Sequence, residues 1–238
     1  MQTTTSNERF RLTLPFVGRR KEIAQLQRLH AQRKHALILG AAGVGKTELI
    51  RHVACRLPVL VCPQPARLSE ICSVLEQQLD LDAADLKLVQ RKNRLLLALA
   101  NVNRAVVFDG ISWTTPKLGS FVECVSDRVP VWIATRSERS WDVGHIWPLL
   151  VRFARVELHP FRPAETRAFV AAVVESGLIP REALNVVKWL HYRSDGSPLL
   201  LGELLEELAA HPCDLSNPHA LRRLDLDRRI HEMFPGGN

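Results

Sequence analysis

Apolar residues along this chain fall into short uninterrupted runs separated by stretches in which they recur three or four positions apart. The run His35-Ala36-Leu37-Ile38-Leu39 lacks the in-and-out alternation of a half-exposed strand, which predicts a strand buried on both faces, as parallel strands are. Runs of the same kind at 59–62, 105–108, 129–134 and 155–158 predict four more strands. Ile23, Leu26 and Leu29 are spaced for one face of a helix over 20–33. Helical patterns at 46–56, 68–79, 90–100, 117–126 and 145–151 fill the intervals between strands. Alternation of this kind predicts an α/β fold of three layers, a parallel sheet with helices on both faces.

After Pro160 the strand pattern stops. Helices are predicted over 163–176, 181–193 and 198–211, with a short last one at 225–234. The expected organisation is a basic arm over 1–14, an α/β domain over 15–160 and a small helical lid with a tail over 161–238.

The first strand runs directly into Gly40-Ala41-Ala42-Gly43-Val44-Gly45-Lys46-Thr47, which meets the pattern G-x-x-x-x-G-K-[ST] between a strand and a helix. Glycines let successive backbone N–H groups turn toward one phosphate, and the following helix adds the positive end of its dipole. Gly40, Ala42, Gly43, Val44, Gly45, Lys46, Thr47 and the adjacent Glu48 are therefore expected to hold ATP or ADP. Lys46 would neutralise the β- and γ-phosphates, and the Thr47 hydroxyl would be a Mg²⁺ ligand. The apolar run Ala105-Val106-Val107-Phe108 ends on Asp109, which is expected to orient the Mg²⁺ shell from the strand beside the loop.

With these motifs in order, the chain resembles AAA+-related P-loop ATPases, most of all the STAND subgroup of signalling and scaffolding NTPases. Phe16-Val17-Gly18-Arg19-Arg20-Lys21-Glu22 resembles the family's hhGRxxE box, implying that Val17, Gly18 and Arg19 contribute to the adenine pocket. Ala134-Thr135-Arg136 resembles the polar end of the fourth strand, implying a γ-phosphate sensor at Arg136. Arg152-Phe153 resembles the pair that carries an arginine finger, and Gly196-Ser197-Pro198-Leu199 the lid motif whose proline, here Pro198, approaches the nucleotide. Lys46, Asp109, Arg136 and Arg152 are thus the expected catalytic set.

One departure bears on turnover. Many AAA+ ATPases follow the strand-end Asp with Glu, which polarises the attacking water, whereas here Gly110 follows. Weak ATPase activity is the expectation, with Glu48, Glu138 and Asp142 as substitutes for the missing base. A nucleotide-gated switch or assembly factor fits this better than a fast motor or a kinase. Its implied partners are copies of itself or a protein supplying an effector or sensor function.

Composition adds a second reading. The formal charge of +7, with Arg9, Arg11, Arg19, Arg20 and Lys21 near the start and Arg222, Arg223, Arg228 and Arg229 near the end, suits an ATPase that binds DNA through phosphates, without base readout. The five cysteines are scattered without metal-ligand spacing and read as reduced, mostly buried thiols of a cytoplasmic protein. No run approaches the ~20 apolar residues of a bilayer span, so no membrane role is expected.

Overall fold

The computed structural model describes residues 13–65, 67–82 and 85–233, the last seven by their backbone alone. It divides into two compact units: Arg19–His159, and the segment ending at Gly18 together with residues from Pro160 onward.

The first unit runs α1 (Arg20–Ala31), β1 (Ala36–Leu39), α2 (Lys46–Ala54), β2 (Val59–Pro63), α3 (Leu68–Gln78), α4 (Leu88–Ala100), β3 (Ala105–Asp109), α5 (Pro116–Ser126), β4 (Val131–Thr135), α6 (Ser140–Val143), α7 (Trp147–Leu150) and β5 (Ala154–Glu157). The strands form one sheet in the order β2-β3-β4-β1-β5, and every neighbouring pair is parallel. The predicted α/β architecture is thus the observed one. Every residue of β3 and β4 is buried, as strands covered by helices on both faces must be. Phe108, Trp132, Phe121 and Leu37 are among the largest enclosed side chains, and full burial of such groups contributes roughly 1.5–3 kcal/mol each.

Sheet order departs from chain order at one point that matters for the site. β4 lies between β1 and β3, so Asp109 is two strands from the loop strand, not on the strand next to it. α2 carries the chain from β1 across to β2 at the far edge, and its first turn reaches toward β3 on the way.

Local boundaries moved for identifiable reasons. The strand expected from Val129 begins at Val131, because Pro130 has no N–H to give the ladder. The helix predicted at 145–151 is a single turn, α7, and an unpredicted turn, α6, precedes it across Gly144. There φ is +67°, and a Cβ would lie 2.5 Å from the Thr114 carbonyl oxygen. Two of the five cysteines, Cys62 and Cys72, are buried, while Cys55 is exposed; the thiols are less buried than their scatter implied.

The second unit holds α8 (Pro163–Glu175), a 3₁₀ segment (Arg181–Val186), α9 (Val187–Ser194), α10 (Pro198–Ala210) and α11 (Pro218–Met233). Its core gathers Phe169, Val170, Leu190, Leu201, Leu204 and Leu205, and Leu14 and Val17 pack against it. The helix predicted over 181–193 is thus split, and the last helix begins at Pro218, seven residues before its predicted start. Proline at a first helical turn after Asn217, whose side chain accepts from His219 N at 2.9 Å, was the overlooked start signal. Arg9 and Arg11 lie outside the described residues, as do the side chains of Arg228 and Arg229.

Candidate nucleotide-binding site

The loop 40–47 joins the carboxyl end of β1 to α2. Its shape depends on glycine at three places, for different reasons. Gly43 and Gly45 have φ of +74° and +93°, the left-handed region that side chains disfavour. Gly40 is required by space: a Cβ there would sit 2.7 Å from both the Leu158 carbonyl oxygen and Val44 Cγ1. Val44 is buried, while Ala41, Ala42, Thr47 and Glu48 are exposed. α2 then starts at Lys46 with no side-chain cap, which leaves first-turn N–H groups for a phosphate to accept from, as helix starts that bind phosphate do.

Parallel register brings three strand ends together. Leu39 pairs with Thr135, Phe108 with Ile133, and Pro63 with Asp109. Lys46 reports the result. Burial, then the Arg136 guanidinium, hold its ammonium below the ordinary lysine range, and Asp109 pulls it back up. Lys46, Arg136 and Asp109 thus share one electrostatic neighbourhood, although 90 positions separate Lys46 from Arg136 in the chain. Lys46 Nζ donates to the carbonyls of Gly40 at 2.6 Å and Ala41 at 2.9 Å, which curls the side chain over the loop.

Asp109 is 5% exposed. Burial raises its pKa most, against a hydrogen bond from Thr47 and the charges of Lys46 and Arg51. Its Oδ1 is buried without a hydrogen-bond partner. A buried, partly unsatisfied carboxylate joined to a threonine hydroxyl at a helix start is a donor set for a hard cation such as Mg²⁺. The residues present therefore fit the metal that the motif implies. ATP would lie with its phosphates on the loop, and Mg²⁺ would be held by Thr47 and Asp109.

The next residue explains the missing acid. Gly110 has φ of +76°, and the chain turns there so that Ile111 N donates to Ala134 O at 3.0 Å. A glutamate at 110 would have to adopt this left-handed conformation. Among the named substitutes, Glu48 acts electrostatically on Asp109 and pairs with Arg51 at 2.5 Å. Glu138 is held by Arg155 at 2.9 Å, and Asp142 is exposed in α6.

Two expected site arginines have other surroundings. Arg19 is 6% exposed; it donates to Val44 O at 2.9 Å and His159 O at 2.7 Å and pairs with Glu22 at 3.5 Å. It clamps the start of α1 to the loop and to the end of β5. Its inclusion among DNA-contacting arm residues is corrected by this burial. Arg152 acts on His35, which immediately precedes β1, so it lies at the amino-terminal edge of the sheet. Lys46 lies at the opposite edge. Val17, Gly18 and Pro198 belong to the helical unit, where Pro198 opens α10 behind a Ser197 cap that accepts from Leu200 N at 3.4 Å. The clamp of Arg19 and the packing of Leu158 against Gly40 escaped the sequence reading, because both depend on contacts more than a hundred residues apart in the chain.

No protein-family model matches the chain, and no curated protein matches its sequence. Solved structures do match in shape. The Walker-type ATPase of Pyrococcus abyssi superposes with a TM-score of 0.64 at 17% identity, covering 92% of this chain and 74% of that one. The Aeropyrum pernix ORC1 protein, solved in complex with DNA, gives 0.65 at 15% identity over 92% of this chain and 66% of its own. A STAND protein with a tetratricopeptide repeat sensor from Pyrococcus horikoshii gives 0.54 at 15%, over 90% of this chain and 32% of its own. Strand order, loop and likeness agree: this chain has the fold of the AAA+-type P-loop ATPases, STAND and ORC1 proteins among them.

Proposed function

We propose that the chain is an ATP-binding switch of AAA+/STAND type that holds ATP with Mg²⁺ and hydrolyses it slowly. The observation that carries this reading is the Thr47–Asp109 contact with its orphaned carboxylate oxygen, set beside an uncapped helix start and Lys46. In this reading Gly43, Val44, Gly45 and Lys46 bind the phosphates, and Arg136 senses the γ-phosphate. Bound Mg²⁺ would neutralise charge developing on the phosphates. With Gly110 in place of an acid, no residue directly after Asp109 accepts the proton of an attacking water. Binding then outlasts chemistry, as suits a switch that acts by preferring one conformational population.

Lys46→Ala tests it. ATP affinity measured by titration should fall below detection while circular dichroism and melting stay close to those of the parent, because the ammonium bonds only exposed and part-buried loop carbonyls. Unchanged ATP affinity would remove the basis of the proposal.

A second reading, an ATPase associated with DNA, is supported by the likeness to the ORC1 protein solved with DNA and by exposed Arg20, Lys21, Arg222 and Arg223. It requires duplex binding that weakens steeply with salt and is indifferent to sequence.

A further inference from the structure

The chain has five tryptophans, one tyrosine and eight phenylalanines. Trp132 is buried in the sheet, but Trp113, Trp141 and Trp147 are 60%, 69% and 48% exposed. All three are carried by two segments fastened to one another. Thr114, 1% exposed, donates to Val143 O through its N–H at 3.1 Å and its hydroxyl at 2.6 Å. It accepts from His145 N at 3.3 Å and, on the hydroxyl, from Ile146 N at 3.2 Å. Trp113 precedes this joint, Trp141 and Trp147 flank it, and the Trp113 ring meets His145 edge-on at 6.4 Å. Gly144 is the only residue type the joint admits, given the Thr114 oxygen 2.5 Å from where its Cβ would be. The tryptophans therefore stand on a rigid mount.

Their charge environment is basic at close range. The Arg139 guanidinium lies 5.6 Å over the Trp141 ring, an arrangement that presents a cation and a π-face together. Lys117 and Arg136 are exposed on the same two segments, Glu138 is paired with Arg155, and Asp142 is the exposed acid beside Trp141. Indole faces interleaved with arginine are what unpaired bases and their phosphates require: every base has a face to stack, and the guanidinium answers the backbone. A duplex keeps its bases stacked inside and gains little from such a surface. We infer that Trp113, Trp141 and Trp147, with Arg139, form a binding surface for single-stranded nucleic acid without sequence preference. The inference does not rest on the nucleotide reading, and it uses none of the basic residues of the arm and tail.

The test is fluorescence anisotropy of a labelled oligothymidylate of about fifteen nucleotides, titrated with the full chain at low and raised salt without ATP, and repeated with a duplex of equal length. Quenching of tryptophan emission should accompany binding, and the single strand should bind more tightly than the duplex. Each of Trp113→Ala, Trp141→Ala and Trp147→Ala should weaken it about five- to a hundredfold. Phenylalanine at the same positions should restore part of the loss, and Arg139→Ala should weaken binding and flatten its salt dependence. ATP affinity should not move in these variants, since the inference assigns none of these side chains to the nucleotide site, and circular dichroism should show each variant folded. Equal affinity for duplex that survives the triple alanine variant overturns the inference, because phosphates bound elsewhere then account for it. So does absence of single-strand binding at low salt. Loss of self-association in the triple variant, by light scattering and without any oligonucleotide binding, would assign the patch to a protein contact instead.

Discussion

At residue 109 a carboxyl group is held where burial outweighs the Thr47 hydrogen bond and the charge of Lys46, so its folded pKa lies above the ordinary carboxylate value. An acid whose folded pKa is raised destabilises the fold as pH rises through that range, and the penalty persists at neutral pH. Asp109→Asn keeps the shape and removes the charge. Without ligand at neutral pH the variant should melt higher than the parent, and the difference should close in acid. With ATP, the Mg²⁺-dependent part of the affinity should fall more than the metal-free part. A ligand-free variant that melts lower at neutral pH would falsify this account of the carboxylate. The neighbouring Gly110 imposes the opposite constraint. Its φ of +76° makes Gly110→Glu a strained replacement and not a repair, and denaturant unfolding should show a loss of about 1–2 kcal/mol.

At the scale of elements, the amino-terminal edge of β1 carries a pH response. His35 Nδ1 accepts from Val131 N at 3.0 Å, and the ring stacks on Phe153 with centroids 4.9 Å apart. Burial first, then Arg152, lower its pKa, with Asp127 opposing them. Protonation would convert the acceptor into a donor facing another donor. Since the folded value lies below the ordinary 6.5, the unfolded chain takes up the proton first. His35 therefore contributes its full stability above that ordinary value and loses it as pH falls through the window beneath. Denaturant midpoints measured from about pH 7 to about pH 5 should decline in the parent, and the decline should be shallower in His35→Asn, whose amide oxygen accepts without titrating. Equal slopes would place the titration elsewhere.

At the scale of the whole molecule, the position of Arg152 sets a condition on turnover. It lies at the end of the sheet opposite Lys46, and β1 and β5 have four residues each. That length separates the two edges by at least roughly 13 Å. A finger role is therefore available to Arg152 only on a neighbouring copy. Loss of a positioned general base costs ~10²–10⁴-fold in rate, so the isolated chain should bind ATP well and hydrolyse it slowly. Hydrolysis should rise faster than linearly with protein concentration, and Arg152→Ala should abolish that extra rise while leaving ATP affinity in place. Phosphate release assayed over a concentration series decides it. Brisk, concentration-independent hydrolysis untouched by Arg152→Ala would mean that Glu48, within electrostatic reach of Asp109, is the next residue to replace.

Much of the architecture was legible before any coordinates. Strands buried on both faces must be apolar throughout, helices must show a three-to-four spacing, and a phosphate loop must have glycine where backbone turns left-handed. Each is a local constraint, so 36–39, 105–109 and Gly40 to Thr47 declared themselves in the sequence. Tertiary structure decided the rest, because it depends on which distant segments meet. It placed β4 between β1 and β3, buried Arg19 against Val44 and His159, set a turn at 140–143 apart from 147–150 with Gly144 against Thr114, and brought Arg136 into the electrostatic neighbourhood of Lys46. Nothing in residue type or spacing specifies these pairings; parallel register and crossover connections do, since they alone bring the carboxyl ends of β1, β3 and β4 to one edge of the sheet.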